Sequence, residues 1–177
     1  DSKMNAVYLG NASLGMGRDY YQKDNPKNAE AMAEYTKYVA SMLDVLGYKN
    51  SSATAQNIVK FEKSIAKTYL TNEQIRDATL QYNPKTMTEL SALVKNVNLP
   101  KYLAAVGVKT DKVIVGELNY YKNLDQFINQ KNLPLIKDYM KFHLLSGSAS
   151  YLSKNLDEQK FNFYGKYLRG QQEQRAQ

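Results

Sequence analysis

The sequence predicts an all-α fold: a multi-helix lobe with a short irregular or strand-like N-terminal segment and at most one very short internal strand. Three observations carry this expectation. From Asn25 onward, apolar residues recur at three- and four-residue steps, the period of one helix face. Helix-start and helix-stop residues bracket these stretches, Asn25-Pro26 and Gly47 being the clearest pair. The only strand-like apolar run after residue 20 is the short one from Val113 to Gly116.

Taken in order, "NAVYLG" (5–10) reads as a short strand and is followed by a loop carrying Gly15 and Gly17. Asn25 caps a helix with Pro26 at its first position. Met32, Tyr35, Val39, Met42, Leu43 and Leu46 form its apolar stripe, and Gly47 ends it. A second helix caps at Ser51 or Ser52 and places Ile58, Val59, Phe61 and Ile65 on a shared side. Thr71 and Gln74 have capping-box spacing for a third, shorter helix. Asn83-Pro84 marks a turn, "TMTELSALV" a short helix, and Leu99-Pro100 starts another. Helical spacing returns with Leu118, Tyr121, Leu124, Phe127 and Ile128, then in a long helix from about Pro134 with Ile136, Tyr139, Met140, His143 and Leu144. A last helix carries Phe161, Tyr164 and Leu168.

Composition excludes more chemistry than the motifs suggest. With 43% hydrophobic and 23% charged residues the chain has the balance of a globular domain with its own core. No apolar run approaches the roughly 20 residues that span a bilayer, so no membrane span is expected. The opening Asp1-Ser2-Lys3 has no apolar leader segment, and the lack of an initial Met suggests either a natural N-terminus upstream or removal of the Met by processing. There is no Cys, which removes thiolate catalysis, disulfides and Cys-ligated zinc. The single His, His143, sits in the apolar run "KFHLLSGSAS" and reads as a packed or half-buried residue, not a catalytic base. The net charge of +7 divides into +2 over residues 1–88 (11 basic, 9 acidic) and +5 over 89–177 (13 basic, 8 acidic). That even spread predicts no nucleic-acid partner, because such binders concentrate their basic residues in a stripe.

The short motifs are weak. "GMGRDYY" supplies two glycines of a dinucleotide-binding turn, but Tyr20 stands where a small residue is required, and no strand–helix–strand unit surrounds it. Ser64-Ile65-Ala66-Lys67 matches S-x-x-K without its companion motifs, and Lys67 reads as a cation near a helix C-terminus. Asn11-Ala12-Ser13 and Asn50-Ser51-Ser52 are glycosylation sequons. Asp19, Asp24, Glu62, Glu117 and Asp138 are carboxylates whose spacing marks no site.

Read together, the segments resemble the neprilysin and endothelin-converting-enzyme family of zinc metallopeptidases. The resemblance rests on Leu14-Gly15-Met16-Gly17-Arg18-Asp19-Tyr20-Tyr21, similar to the family's L-G-L-x-x-R-D-Y-Y. It runs on through Tyr82-Asn83, Met87-Thr88 and "VIVGELNYYKNLDQFI" to "LPLIKDYMKFHLLSGSASYLS" and "FNFYGKYLRGQQEQR". It departs from the family in a glycine loop one residue shorter and in Lys141, where Trp is common. The absence of Cys suggests a bacterial member.

The resemblance implies a parent zinc metallo-endopeptidase, extracytoplasmic, with peptide substrates and zinc as its cofactor. The family's H-E-x-x-H motif and downstream Glu lie C-terminal to the matched region. No catalytic or metal residue is therefore carried over to this chain, no zinc is expected in it, and the fragment itself is expected to be inactive. Residues 1–24 then read as a connector from a missing catalytic lobe of the same polypeptide, 25–170 as the helical substrate-gating domain, and 171–177 as a truncated tail. Gly15, Gly17, Arg18, Asp19, Tyr20 and Tyr21 form the structural connector motif: the glycines for backbone angles other residues avoid, Arg18 and Asp19 to hold the turn, the tyrosines to anchor it. The alternative is a stand-alone helical peptide- or protein-binding module without enzymatic activity.

Overall fold

A computed structural model describes residues 5–174; the outermost residues of the expected connector (1–4) and tail (175–177) lie outside the described residues. In chain order the elements begin with β1 (Tyr8–Leu9), α1 (Arg18–Gln22), α2 (Pro26–Val45), α3 (Ser51–Ala66), a 3-10 turn (Gln74–Arg76), β2 (Asn83–Thr86) and α4 (Met87–Leu93). They continue with α5 (Leu99–Ala105), β3 (Lys112–Val115), α6 (Leu118–Phe127), a second 3-10 turn (Gln130–Asn132), α7 (Leu133–Leu152), α8 (Lys154–Lys160) and a π-helical segment (Phe161–Tyr167). The protein is mostly helical with short strands, as the periodicity predicts.

The chain forms two compact units, one of residues 1–14 with 64–133, the other of 15–63 with 134–177. The first holds all three strands, in the order β1-β3-β2. β3 lies between a parallel partner, with Tyr8 opposite Ile114, and an antiparallel one, with Pro84 opposite Ile114. Val113 and Val115 are buried accordingly. The expectation of at most one internal strand is one short: β2 forms where Asn83-Pro84 was read as a turn. Proline is tolerated because β2 is an edge strand, where a missing N–H breaks no ladder on the open side. Thr86 ends β2 and also caps α4, exchanging hydrogen bonds with Glu89 in a capping box. The Thr71–Gln74 box forms too, but only the 3-10 turn follows it.

The N-terminal segment of this unit is tied down by polar groups. The Tyr69 hydroxyl donates to the Ala12 carbonyl (2.5 Å) and the Tyr121 hydroxyl to Gly10 (2.5 Å). Glu117, at the cap of α6, is only 6% exposed; it accepts from the Leu70 N–H (2.6 Å) and from the Asn11 side-chain amide (3.0 Å). The first sequon asparagine is thus engaged in the fold. Asp125 on α6 accepts from the backbone N–H groups of Lys95 and Asn96.

The second unit packs α1, α2, most of α3 and α7, α8 and the π-helical segment. α2 starts at the Asn25 cap, whose side chain accepts from the Asn28 N–H. It ends in a Schellman motif: Gly47 has φ 79°, the Tyr48 N–H reaches the Leu43 carbonyl and the Gly47 N–H reaches that of Asp44. α3 begins at Ser51 itself, with the Asn50 carbonyl accepting from Thr54. Tyr35, Val39, Met42, Leu43 and Ile58 are fully buried. On α7 the buried positions are Phe142, Ser146 and Ala149, whereas Met140 and Leu144 of the expected stripe are 62% and 72% exposed. This helix is apolar on several sides, so periodicity could not select its inward face. Lys141 donates to the Tyr48 hydroxyl (3.2 Å), which donates in turn to Asp138 (2.6 Å).

Glu117→Ala removes the acceptor of a part-buried backbone N–H and of Asn11 together. We expect a loss of about 1.5–3 kcal/mol in chemical denaturation.

Candidate functional site

The residues singled out from the sequence converge, in part, on a buried carboxylate. Gly17 precedes α1 with φ −59° and ψ 147° and makes no side-chain cap. Arg18 opens that helix, and Asp19 pairs with Lys23 at 3.3 Å on the surface while its carbonyl accepts from Asn28. Tyr20 is half-buried. Tyr21 is 2% exposed, and its hydroxyl accepts from the Met16 N–H (3.1 Å) and donates to Glu62 Oε2 (2.5 Å). The loop before α1 is therefore fastened from inside, through Tyr21.

Glu62 has no exposed surface. Besides Tyr21, the Tyr35 hydroxyl donates to Oε1 (3.1 Å), and His143 Nε2 lies 2.6 Å from the same oxygen. Side chains from three helices, α1, α2 and α7, thus meet on one residue of α3. An ionised carboxylate only accepts, so the proton of this contact sits on His143 Nε2 whenever Glu62 is charged. The imidazole is 27% exposed and packs against Tyr139 and Phe142 with ring centroids 4.3 and 4.9 Å away.

Neither glycine of the loop uses a left-handed backbone: positive φ occurs among the described residues at Gly47, Gly107 and Gly170. This corrects the conformational reason given for them. Gly15 is required by space instead. A Cβ there would fall 1.7 Å from the Tyr35 hydroxyl oxygen and 2.2 Å from Cζ, on a ring that is fully buried and bound to Glu62. A Cβ on Gly17 would meet nothing closer than 3.9 Å.

Four buried tyrosine hydroxyls of this unit, those of Tyr21, Tyr35, Tyr38 and Tyr164, are held in their neutral form. Burial, then the Glu62 charge, push Tyr21 and Tyr35 far above the usual phenol range, and burial raises Tyr164. Tyr38, whose hydroxyl shares a hydrogen bond with Ser146 Oγ (2.7 Å), is pushed up to about 12 by burial. A carboxylate, an imidazole and phenols are the parts of an acid–base site, but Glu62 is sealed from any substrate and the arrangement serves packing and positioning. Nor does it suit zinc. Among the described residues no group of three or more His, Asp or Glu is placed to hold a metal ion, and both Glu62 oxygens already accept from tyrosines.

Glu62 and His143 were not selected as a pair from the sequence. A signal existed: Glu62 stands one turn after Ile58, inside the apolar stripe of its helix. A charge in that position announces a buried partner without saying which one.

Gly15→Ala drives its methyl group into the Tyr35 ring and is expected to cost about 2–3 kcal/mol, whereas Gly17→Ala stays within about 0.5 kcal/mol; thermal or urea unfolding of the two variants distinguishes them. A phenol whose folded pKa lies above its unfolded value near 10 contributes fully below pH 10 and loses that contribution as pH rises toward the folded value. For Tyr38 this window runs from about 10 to about 12. Stability should be level on this account up to pH 10 and then fall by about 1.4 kcal/mol per pH unit for each such tyrosine, with tyrosinate absorbance rising in step with unfolding.

The profile of the N-terminal region of peptidase family M13 matches residues 1–177. The chain is 28% identical over 159 residues to a neutral endopeptidase of Lactococcus lactis subsp. cremoris, covering 89% of this chain and 25% of that protein. It is 24% identical over 167 residues to endothelin-converting enzyme 1 of Rattus norvegicus, covering 89% and 22%. The chain thus spans about a quarter of the length of these curated relatives. Its fold is similar to that of the Mycobacterium tuberculosis zinc metalloprotease Zmp1 in its open state, with a TM-score of 0.88 at 24% identity over 97% of this chain and 27% of that one. It is also similar to PepO from Lactobacillus rhamnosis HN001, with a TM-score of 0.86 at 20% identity over 99% and 28%. With the family's profile matched from the first residue to the last, this chain belongs to peptidase family M13.

Proposed function

We propose that the chain is the helical lobe of a zinc metallo-endopeptidase and limits which peptides reach the catalytic centre. The observation that carries this reading is the match of the whole chain to the N-terminal region of the family, at about a quarter of the relatives' length. In this reading zinc and its ligands belong to the remainder of the parent polypeptide; among the described residues no group of three or more His, Asp or Glu is placed to hold the metal. The contribution of this region is steric: a rigid helical wall that admits short, flexible chains and turns away folded ones.

Two features support the reading. The second unit is held by a buried, fully hydrogen-bonded carboxylate, which gives a wall its stiffness. Its α7 also leaves Met140, Leu144 and Tyr151 exposed at 62%, 72% and 89%. Apolar surface of this kind is commonly covered by another part of the protein. In this reading residues 1–24 carry the chain over from the catalytic lobe. Among the described residues no helix is long and apolar enough to cross a membrane; the parent is proposed to act outside the cytoplasm, as a bacterial enzyme.

The test compares the full-length protein with the 177-residue chain on a labelled peptide of about ten residues and on a folded protein. The full-length protein should cleave the peptide, lose that activity to a zinc chelator and spare the folded protein, while the 177-residue chain cleaves neither. Hydrolysis by the 177-residue chain alone would overturn the assignment of catalysis elsewhere. Equal cleavage of peptide and folded protein would overturn the gating role.

A further inference from the structure

An open groove of about 670 Å³ runs along α2 in the second unit, against the π-helical segment. Its lining includes Glu34, Tyr38, Asp44, Val45, Phe163 and Tyr167. The aromatic floor is ordered. The Phe163 ring stacks on Tyr38 at 5.2 Å and 10°, and Tyr167 stacks on the other end of the row at 6.0 Å and 15° from Phe163. Tyr38 and Phe163 are anchored in the core at 5% exposure each, and Tyr167 is 38% exposed. The π-helical winding brings residues four apart almost into line, so Phe163 and Tyr167 present successive faces to the same space.

The charge around this floor runs against that of the chain. Lys37 is neutralised by Glu34 at 2.6 Å. Asp44 sits in the last turn of α2, where the helix already presents its negative end and no basic residue is present. Among the described residues no cation pairs with its carboxylate. Burial, then the charges of Glu30 and Glu34, raise the Tyr167 hydroxyl above its ordinary range. A protein with a net charge of +7 therefore carries an aromatic groove whose one unbalanced charge is the Asp44 carboxylate, the Glu34–Lys37 pair on its rim cancelling itself. Glu34 and Asp44 stand ten positions apart on one helix, about 15 Å along its axis. That is the span of about four to five residues of extended chain. Beyond Asp44, Val45 and Leu46 add exposed apolar surface.

The geometry points to a binding groove for an extended peptide segment that carries Arg or Lys next to apolar side chains. The cationic head would sit over the exposed Tyr167 face or against Asp44, both favourable to positive charge. The apolar neighbours would cover the floor and Val45. This site does not rest on the peptidase reading: it is a property of α2 and the π-helical segment whichever reaction the parent performs.

The test is fluorescence polarisation of the 177-residue chain with a labelled Gly-Leu-Arg-Phe-Arg-Gly peptide and with its counterpart bearing Glu for Arg. Preference for the Arg peptide of at least tenfold is expected, weakening as salt is raised from 50 to 300 mM. Asp44→Asn and Tyr167→Ala, both at exposed positions, should each weaken binding about threefold to tenfold with unfolding midpoints close to that of the parent chain. Affinities within twofold for the two peptides would overturn the proposal. So would unchanged binding in both variants, or self-association of the chain that Asp44→Asn abolishes, which would make a second copy the occupant.

Discussion

Taking the Glu62 carboxylate out of water costs several kcal/mol, and the cost is met only because three donors arrive together. Tyr21 comes from α1, Tyr35 from α2 and His143 from α7, while Glu62 itself stands on α3. Removing any donor leaves a buried negative charge short of a partner, which is worse than never having buried it. The interaction therefore specifies more than it stabilises. A packing in which these helices slide by a turn would leave the carboxylate unsatisfied, so the arrangement is selected against its near alternatives. The requirement for Gly15 follows from the same geometry, because Tyr35 can reach Glu62 only by occupying the space a Cβ would need.

The first unit uses the same device at lower stakes. Glu117 is nearly buried and serves the Leu70 N–H and the Asn11 amide, and the tyrosine hydroxyls of Tyr69 and Tyr121 hold the backbone of the segment that leads out of β1. A sheet of such short strands has little ladder energy of its own. Side-chain bonds to backbone groups supply the connections that longer strands would have made. Both units thus place a carboxylate where apolar packing alone would leave the chain several ways to settle.

For the gating role proposed above, this rigidity is the relevant property. A wall that filters by size must not yield to the chains that press on it. Interiors held by buried hydrogen-bonded charges and interlocked aromatic rings deform little, because any displacement breaks several bonds at once. The exposed side of α7 and the aromatic groove along α2, with its unbalanced Asp44, are different in kind. They are surfaces with unmet apolar or electrostatic potential, suited to contact.

The sequence by itself determined the helical class, the start of α2 at Asn25-Pro26, its stop at Gly47, a short strand within Val113–Gly116 and the family. These are local signals: caps, proline, glycine and period depend on neighbours within one turn of the chain. Tertiary structure decided the rest. It chose Phe142 over Met140 and Leu144 as the buried side of α7, because a helix apolar on several sides has no local preference for one. It made a strand of Asn83–Thr86 because β3 offered an edge to pair with. It also gave Gly15 a steric reason in place of a conformational one, and it joined Glu62 to a histidine 81 residues away. Pairings at that distance depend on where whole helices come to rest, and no local pattern records it.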